Sequence, residues 1–223
     1  MTPDLWRSVG LTLELAFVTA VLLFLLGLPL AQFLNTSRWR GIAVLEAIVT
    51  LPIVLPPTVI GFYLLVLFAP QQPLGEAWLR ITGTTLAFTL PGLVVGSIIY
   101  SLPFAVQPFQ VALRSVPRDC IDAALACGAS PFRVFLRVTL PLARRGILAG
   151  VTLAFAHTVG EFGVVLMLGG NIPGVTRVAS IALFDEVQKL DYPAALALSA
   201  VLVVLSFAAI LAVSLLQKKS AAD

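Results

Sequence analysis

Charged side chains are scarce in this sequence. Only 11% of its 223 residues are Asp, Glu, Lys or Arg, whereas a soluble domain carries roughly 25%. Hydrophobic residues make up 59%, and the mean hydropathy is +1.03. This composition indicates an integral membrane protein with little room for a soluble domain. We therefore expect a single transmembrane domain over residues 1–223.

Cysteines and nucleotide motifs are also scarce. Cys120 and Cys127 fit neither a zinc site nor a CxxC motif, so we expect two small apolar fillers in a helix. No G-x-x-x-x-G-K-[ST] loop occurs, so we expect no nucleotide or other cofactor on this chain. The start MTPDLWRSVG lacks a basic region, which argues against a signal peptide. Basic residues are spread between apolar runs, which indicates contact with lipid and not with nucleic acid.

Five apolar stretches are long enough to be membrane helices, which need about 20 residues. They predict an all-α polytopic fold with five or so spans. The approximate spans are Ser8–Phe33, Ile42–Phe68, a part of Thr84–Leu113, Gly146–Gly170 and Tyr192–Leu216.

The basic residues predict the orientation of these spans. With the N-terminus outside, ten of the 14 Lys and Arg residues fall on the cytoplasmic side, as the positive-inside rule requires. The C-terminus is then cytoplasmic. The ten are Arg38, Arg40, Arg114, Arg118, Arg133, Arg137, Arg144, Arg145, Lys218 and Lys219.

Proline interrupts the second span, which reads LPIVLPPTVIGFYLL. A proline removes a backbone donor and kinks a helix, and freed carbonyl groups in lipid need partners or a wet cavity. Membrane helices also tolerate single prolines without any functional reason. For the cluster Pro56, Pro57 and Thr58 we favour a role in a pathway or a gate.

A charged segment at about residues 114–145 separates the third and fourth spans. Pro117 opens a short helix that ends near Ala126, and Gly128 is placed to end it in a left-handed conformation. Ser130 and Pro131 begin a second helix, which Leu140-Pro141 closes. From the residues alone, this segment is either a docking element or a connecting loop on the lipid surface.

The spacing within this segment matches a known signature. The matching residues are Asp122, Ala123, Ala124, Gly128, Val138, Leu140 and Pro141. They resemble the cytoplasmic motif of ABC importer permeases, which is Glu-Ala-Ala, three residues, Gly, nine residues and Ile-x-Leu-Pro. The departures, Asp for Glu and Val for Ile, are conservative. The resemblance implies short coupling helices that dock on a separate ATPase subunit, which uses the ATP.

Two further stretches narrow the resemblance. LPIVLPPTVIGFYLL and VGEFGVVLMLGGNIPGVTR resemble permeases for tetrahedral oxyanions, most closely the molybdate importers. Sulfate and thiosulfate permeases, the alternative, share the Gly-Glu-Phe-Gly element but are usually longer and work as unlike pairs. The resemblance implies a membrane subunit that imports molybdate, and tungstate as a further substrate. It also implies a second copy of the chain, two ATPase subunits and an extracytoplasmic oxyanion-binding protein.

Polar residues inside the spans are the pathway candidates. Thr58, Ser97 and Ser101 could line it, although hydroxyl groups also bond their own helix. Glu161 lies in an apolar run, where a charge costs roughly 2.5–3.5 kcal/mol. A carboxylate would repel an anion, so we expect a gating or helix contact or an interfacial position. A contact with His157, four residues earlier, is one alternative.

Two other classes of protein remain alternatives at this stage. An intramembrane enzyme would use His157 and Glu161 as a catalytic pair, but the sequence offers few further members of such a site. A passive channel would have no use for a docking segment. Outside the spans, we expect residues Asn171–Asp191 to form an interfacial helix, with Asp185 and Glu186 placed to receive the binding protein.

Overall fold

The computed structural model describes residues 2–219, without the side chains of 212, 213 and 216–219. Within that range the regular structure is entirely helical, which confirms the all-α prediction. The helices are α1 (Pro3–Thr36), α2 (Ile42–Val54), α3 (Pro57–Leu67), α4 (Pro73–Thr82), α5 (Leu90–Arg114), α6 (Arg118–Ala126), α7 (Pro131–Val134), α8 (Leu140–Val159), α9 (Gly163–Gly169), α10 (Ala179–Gln188) and α11 (Tyr192–Lys219).

Among residues 2–219, four helical stretches are long and apolar enough to cross a membrane, and the bent pair α2–α3 would make a fifth. The predicted interruption of the second span by proline is confirmed, because α2 and α3 meet at 115°. Leu55 and Pro56 are both extended at the bend. Each precedes a proline, and the ring of a proline disfavours helical dihedrals in the residue before it.

The fourth span also differs from its prediction. One continuous helical stretch runs from Pro131 to Val159, whereas Gly146–Gly170 was expected. Leu140-Pro141 does not close a helix. A π-helical turn over Phe135–Thr139 joins α7 to α8, and such turns absorb a local disruption without ending the helix. The helix ends at Val159, and the short helix α9 begins at Gly163.

The centre of the bundle is formed by α1, α5 and α8. Phe109 of α5 is fully buried there. A Cβ on Gly150 would come within 2.7 Å of its ring, and one on Gly146 within 2.5 Å of Ala112. Small residues therefore set the close approach of α5 and α8. Many large apolar side chains face outward, such as Val54 and Phe207, as expected for a surface covered by lipid or a partner.

Two smaller expectations were wrong. Helix α10 is not an interfacial helix, because Ile181 and Ala182 are buried among other helices of the bundle. Cys120 and Cys127 are not core fillers, because both are exposed on or just after α6.

Candidate coupling surface and translocation site

Helix α6 is the most exposed helix of the charged segment. None of its residues is buried, and Asp122, Ala123 and Gly128 are exposed while Ala124 is half-buried. Gly128 has φ +81°, as its predicted left-handed position requires, and a glycine adopts this conformation without strain. The helix rests on the bundle through Ile121, and its other side is a surface that another molecule can cover.

The second half of the signature lies at the base of the long helix. Leu140 is half-buried against the core that surrounds Phe109, and Pro141 is exposed in the first turn of α8. The Ser130 hydroxyl accepts a 3.4 Å hydrogen bond from the backbone N–H of Arg133, as predicted for its capping position. Leu140 thus anchors the exposed segment to the bundle.

At the other end of α8, an open cavity of about 470 Å³ lies among α3, α5, α8 and the start of α9. Its lining includes Pro57, Thr58 and Glu161, three of the predicted pathway residues, together with His157. Pro56 is exposed but lies outside the lining. Pro57 packs closely against Gly163 at this cavity. A Cβ on Gly163 would lie 2.7 Å from Cβ of Pro57, so only a glycine permits the contact.

Glu161 lies in the break between α8 and α9. Its side chain is 4% exposed, so the interfacial alternative is wrong. Neither carboxyl oxygen, nor the Ser97 hydroxyl, makes a hydrogen bond of good geometry to a described residue, although Ser97 is close enough to interact with the carboxyl group. The Glu161 backbone carbonyl accepts a 2.5 Å hydrogen bond from the Ser180 hydroxyl, which ties the break to α10.

His157 does not contact Glu161 through a hydrogen bond. Its Nδ1 lies 2.9 Å from the Ser101 hydroxyl, and that hydroxyl lies 3.0 Å from the Thr158 hydroxyl. The imidazole stacks on Phe104 at a centroid distance of 3.8 Å and meets Tyr100 at 4.9 Å. Sequence reasoning missed Thr158, Tyr100 and Phe104.

A signal for this cluster exists in the sequence. Ser97 and Ser101 are four residues apart, as are Tyr100 and Phe104, so each pair shares one face of a helix. The sequence does not show that these faces of α5 pack against the His157 face of α8, because that contact depends on tertiary packing.

A second cavity, of about 740 Å³, lies along α5 and α8 closer to the charged segment. Phe104, Gln107 and Ser115 line it from α5, and Arg145 and Leu153 from α8. The stacked Phe104–His157 pair lies between the two cavities, since Phe104 lines one and His157 the other. Two cavities therefore lie along the α5–α8 face, and each is lined by one member of the stacked aromatic pair.

Beyond α9, the loop toward α10 is closed by polar contacts. Asn171 donates 3.0 Å hydrogen bonds to both carboxylate oxygens of Asp185 and accepts one of 2.8 Å from Nε of Arg177. Arg177 also pairs with Asp185 at 3.2 Å. The side chains of Asp185 and Glu186 are only 17% and 13% exposed. Both acidic residues serve contacts within the chain, which argues against the proposed role in receiving a binding protein.

Comparison with known proteins gives the family. Residues 12–221 match the family described as "binding-protein-dependent transport system inner membrane component". The chain belongs to this family. It is therefore a multi-pass inner-membrane permease subunit of ABC transporters and not an enzyme, because ATP hydrolysis is carried out by a separate subunit. An ATPase and a binding protein are the general partners of the family.

Relatives of known name are similar over most of the chain. The molybdenum transport system permease protein ModB of Azotobacter vinelandii is 47% identical over 200 residues, which cover 90% of this chain and 88% of that protein. The sulfate transport system permease protein CysT of Escherichia coli is 33% identical over 217 residues, covering 97% and 78%.

Solved structures share the fold. A permease of the MetNI methionine ABC transporter, in an inward-facing conformation, has a TM-score of 0.77 at 20% identity and covers 98% of this chain and 99% of its own. A bacterial ABC transporter that imports alginate has a TM-score of 0.79 at 18% identity, covering 98% and 80%.

Proposed function

We propose that this chain is the membrane-spanning subunit of an ATP-driven importer for molybdate, with tungstate as a second substrate. The 47% identity to a molybdenum permease supports this substrate over sulfate, for which the relative is 33% identical. Residues 1–223 act as one transmembrane domain. The N-terminus faces outward, and the charged segment at about 114–145 faces the cytoplasm together with the C-terminus.

The assembly consists of two copies of the chain, two ATPase subunits and an extracytoplasmic oxyanion-binding protein. The exposed apolar side chains are covered by lipid and by the second copy. The ATPase subunits dock on Asp122, Ala123, Ala124 and Gly128, and ATP is bound by them alone. Nucleic acid has no part in this function.

The continuous helix from Pro131 to Val159 carries this proposal. It begins beside the exposed coupling helix and ends at His157 and Glu161. At 1.5 Å per residue, its 29 residues span roughly 40 Å. A displacement of α6 by the ATPase therefore reaches the cavity through one rigid element, where Pro57, Thr58 and Glu161 act as the gate. Ser97 and Ser101 support that gate from the facing helix α5.

The experiment is ATP hydrolysis and anion uptake by the complex reconstituted in proteoliposomes with its binding protein. Molybdate, tungstate and sulfate are compared for the wild type and for Gly128→Trp. We expect molybdate to stimulate the wild type, and the variant to lose about 10-fold or more of this stimulation because the indole obstructs docking. Stimulation by sulfate alone would show that the substrate is sulfate and not molybdate. Stimulation by none of the anions would overturn the proposed function.

Gly83→Trp is the matched control. Gly83 also has a positive φ, of +73°, and a Cβ there would likewise meet no atom within 4 Å. The two variants therefore introduce the same strain into equally open space, but Gly83 follows α4, away from α6. Equal losses in both variants would show that backbone strain, and not the coupling surface, causes the effect.

A further inference from the structure

The hydrogen bonds at the end of α8 have a fixed direction. The Thr158 hydroxyl donates to the Ala154 carbonyl oxygen at 2.9 Å, because a carbonyl oxygen can only accept. Its single proton is then used, so in its 3.0 Å contact with Ser101 Thr158 must accept. Ser101 therefore donates to Thr158, and its own single proton is used in turn.

The direction of this chain fixes the tautomer of His157. Since the Ser101 hydroxyl has no proton left, the 2.9 Å contact with Nδ1 of His157 requires Nδ1 to be the donor. In a neutral imidazole only one ring nitrogen carries a proton. Nε2 of the neutral ring is therefore a bare acceptor. It hydrogen-bonds none of the described residues and is not closed off from the surface, and the ring lines the 470 Å³ cavity.

A bare acceptor does not bind a tetrahedral oxyanion, whose four oxygens are acceptors too. The contact becomes favourable only when Nε2 is protonated, since the imidazolium then donates a charge-assisted hydrogen bond. His157 is also the one basic side chain among the residues that line this cavity in the described part of the chain. The two aromatic rings at 3.8 and 4.9 Å are placed to stabilise a cation.

We propose that His157 is an oxyanion-binding residue of the cavity at the end of α8 and that it gains a proton as the anion arrives. The proton is taken from bulk water onto Nε2 and returns to water when the anion leaves, so the ring is unchanged after each cycle. Ser101 and Thr158 act as positioning residues that hold the tautomer. This inference rests on the proposed function and adds the residue that meets the substrate.

Other titratable groups face His157 from the elements around it. Tyr100 lines the cavity from α5 and Glu161 from the break after α8, while α3 contributes Pro57 and Thr58, which do not titrate. Glu161 favours a cation at His157 if it is ionised and leaves it unaffected if it is protonated. Neither Glu161 nor Tyr100 can supply a positive charge to an anion, which leaves that role to His157.

The first test is molybdate uptake by the complete complex between about pH 5 and 8, since anion binding is coupled to the proton that Nε2 gains. His157→Phe keeps the aromatic stack and removes both nitrogens, and we expect it to lower uptake about 10- to 100-fold. His157→Gln keeps a neutral donor whose charge is independent of pH. We expect the ratio of wild-type to His157→Gln uptake to rise as the pH falls, and this ratio cancels the pH responses of the partner proteins.

The second test reads the ring directly and does not depend on a variant that folds. This chain has a single histidine, so ¹⁵N-histidine labelling of this subunit in the complex, purified without a histidine tag, gives one pair of signals. We expect a protonated Nδ1 with a bare Nε2 in the free complex, and two protonated nitrogens with millimolar molybdate. In Ser101→Ala the preference for the Nδ1–H tautomer should be lost.

The outcomes separate this inference from the proposed function. The role of His157 alone is overturned if the wild type takes up molybdate, the uptake ratio does not depend on pH, and the His157→Phe variant is within two-fold of wild type. An Nε2–H tautomer in the free complex, or a spectrum unchanged by molybdate, does the same. A wild type that takes up no molybdate overturns the proposed substrate, and sulfate in place of molybdate then tests His157 as an oxyanion site.

Discussion

The surroundings of the two ends of the long helix Pro131–Val159 differ in burial and in hydrogen bonding. At its start, α6 has no buried residue and the surrounding polar residues face solvent. At its end, Glu161 and Ser97 are buried without hydrogen-bond partners, and His157 is enclosed by aromatic rings. The exposed end is suited to rigid docking of a protein. The buried end contains polar groups that lack hydrogen-bond partners among the described residues.

This difference explains why glycine serves opposite purposes at the two ends. Gly128 is needed for its positive φ, and a side chain there would meet nothing within 4 Å. Gly163 has no unusual dihedral requirement, but a Cβ would lie 2.7 Å from Pro57 and 3.2 Å from the backbone N of Thr58. One end requires a backbone conformation, and the other requires close contact between α3 and α9.

Replacing one carboxyl side chain at each end by lysine should have the most unequal effects on the two ends. We expect Glu161→Lys to destabilise the fold by about 3–5 kcal/mol, because it buries an uncompensated charge, and to abolish transport. Asp122→Lys should change stability by less than about 0.5 kcal/mol while it weakens ATPase docking. Thermal unfolding of each purified variant measures the first effect, and co-purification of the ATPase measures the second. Equal stability losses would show that the two ends do not differ in burial.

The exposed end could be predicted from the sequence and the buried end only in part. The bounds of α6, the left-handed Gly128 and the Ser130 cap depend on local chemistry, and all were predicted closely. The interruption at Pro56 and Pro57 was predicted from the prolines, but the extent of the fourth span was wrong, because it depends on how α8 and α9 pack. The Ser101–His157 contact was likewise invisible, since it joins residues that are 56 positions apart.

A smaller change tests the close contact at the buried end. We expect Gly163→Ala to cost about 1–3 kcal/mol through overpacking against Pro57, which lowers the midpoint of thermal unfolding by roughly 2–4 °C per kcal/mol. Gly160→Ala is the control, because its φ is −88° and a Cβ there would lie 3.8 Å from the nearest atom. A Gly163→Ala variant as stable as the control would show that α3 does not pack tightly against α9.

The smallest expected effect concerns ion pairs of unequal burial. The Arg177–Asp185 pair beyond α9 has side chains 23% and 17% exposed, whereas Arg114–Glu46, near the coupling segment, has 59% and 41% at a longer 3.5 Å. We expect Asp185→Asn to cost about 1–2 kcal/mol, because it leaves Arg177 without its charge partner in a partly desolvated site.

Glu46→Gln is the matched change near the coupling segment, and it should cost less than about 0.5 kcal/mol, since solvent screens an exposed pair. Its amide oxygen can still accept the 3.2 Å hydrogen bond that Gln110 donates to Glu46. The loss in Asp185→Asn should also persist in high salt, where contributions from exposed pairs disappear. Thermal unfolding at low and high salt measures both variants. A larger loss in Glu46→Gln would show that the exposed pair near the coupling segment, and not the pair beyond α9, contributes more to stability.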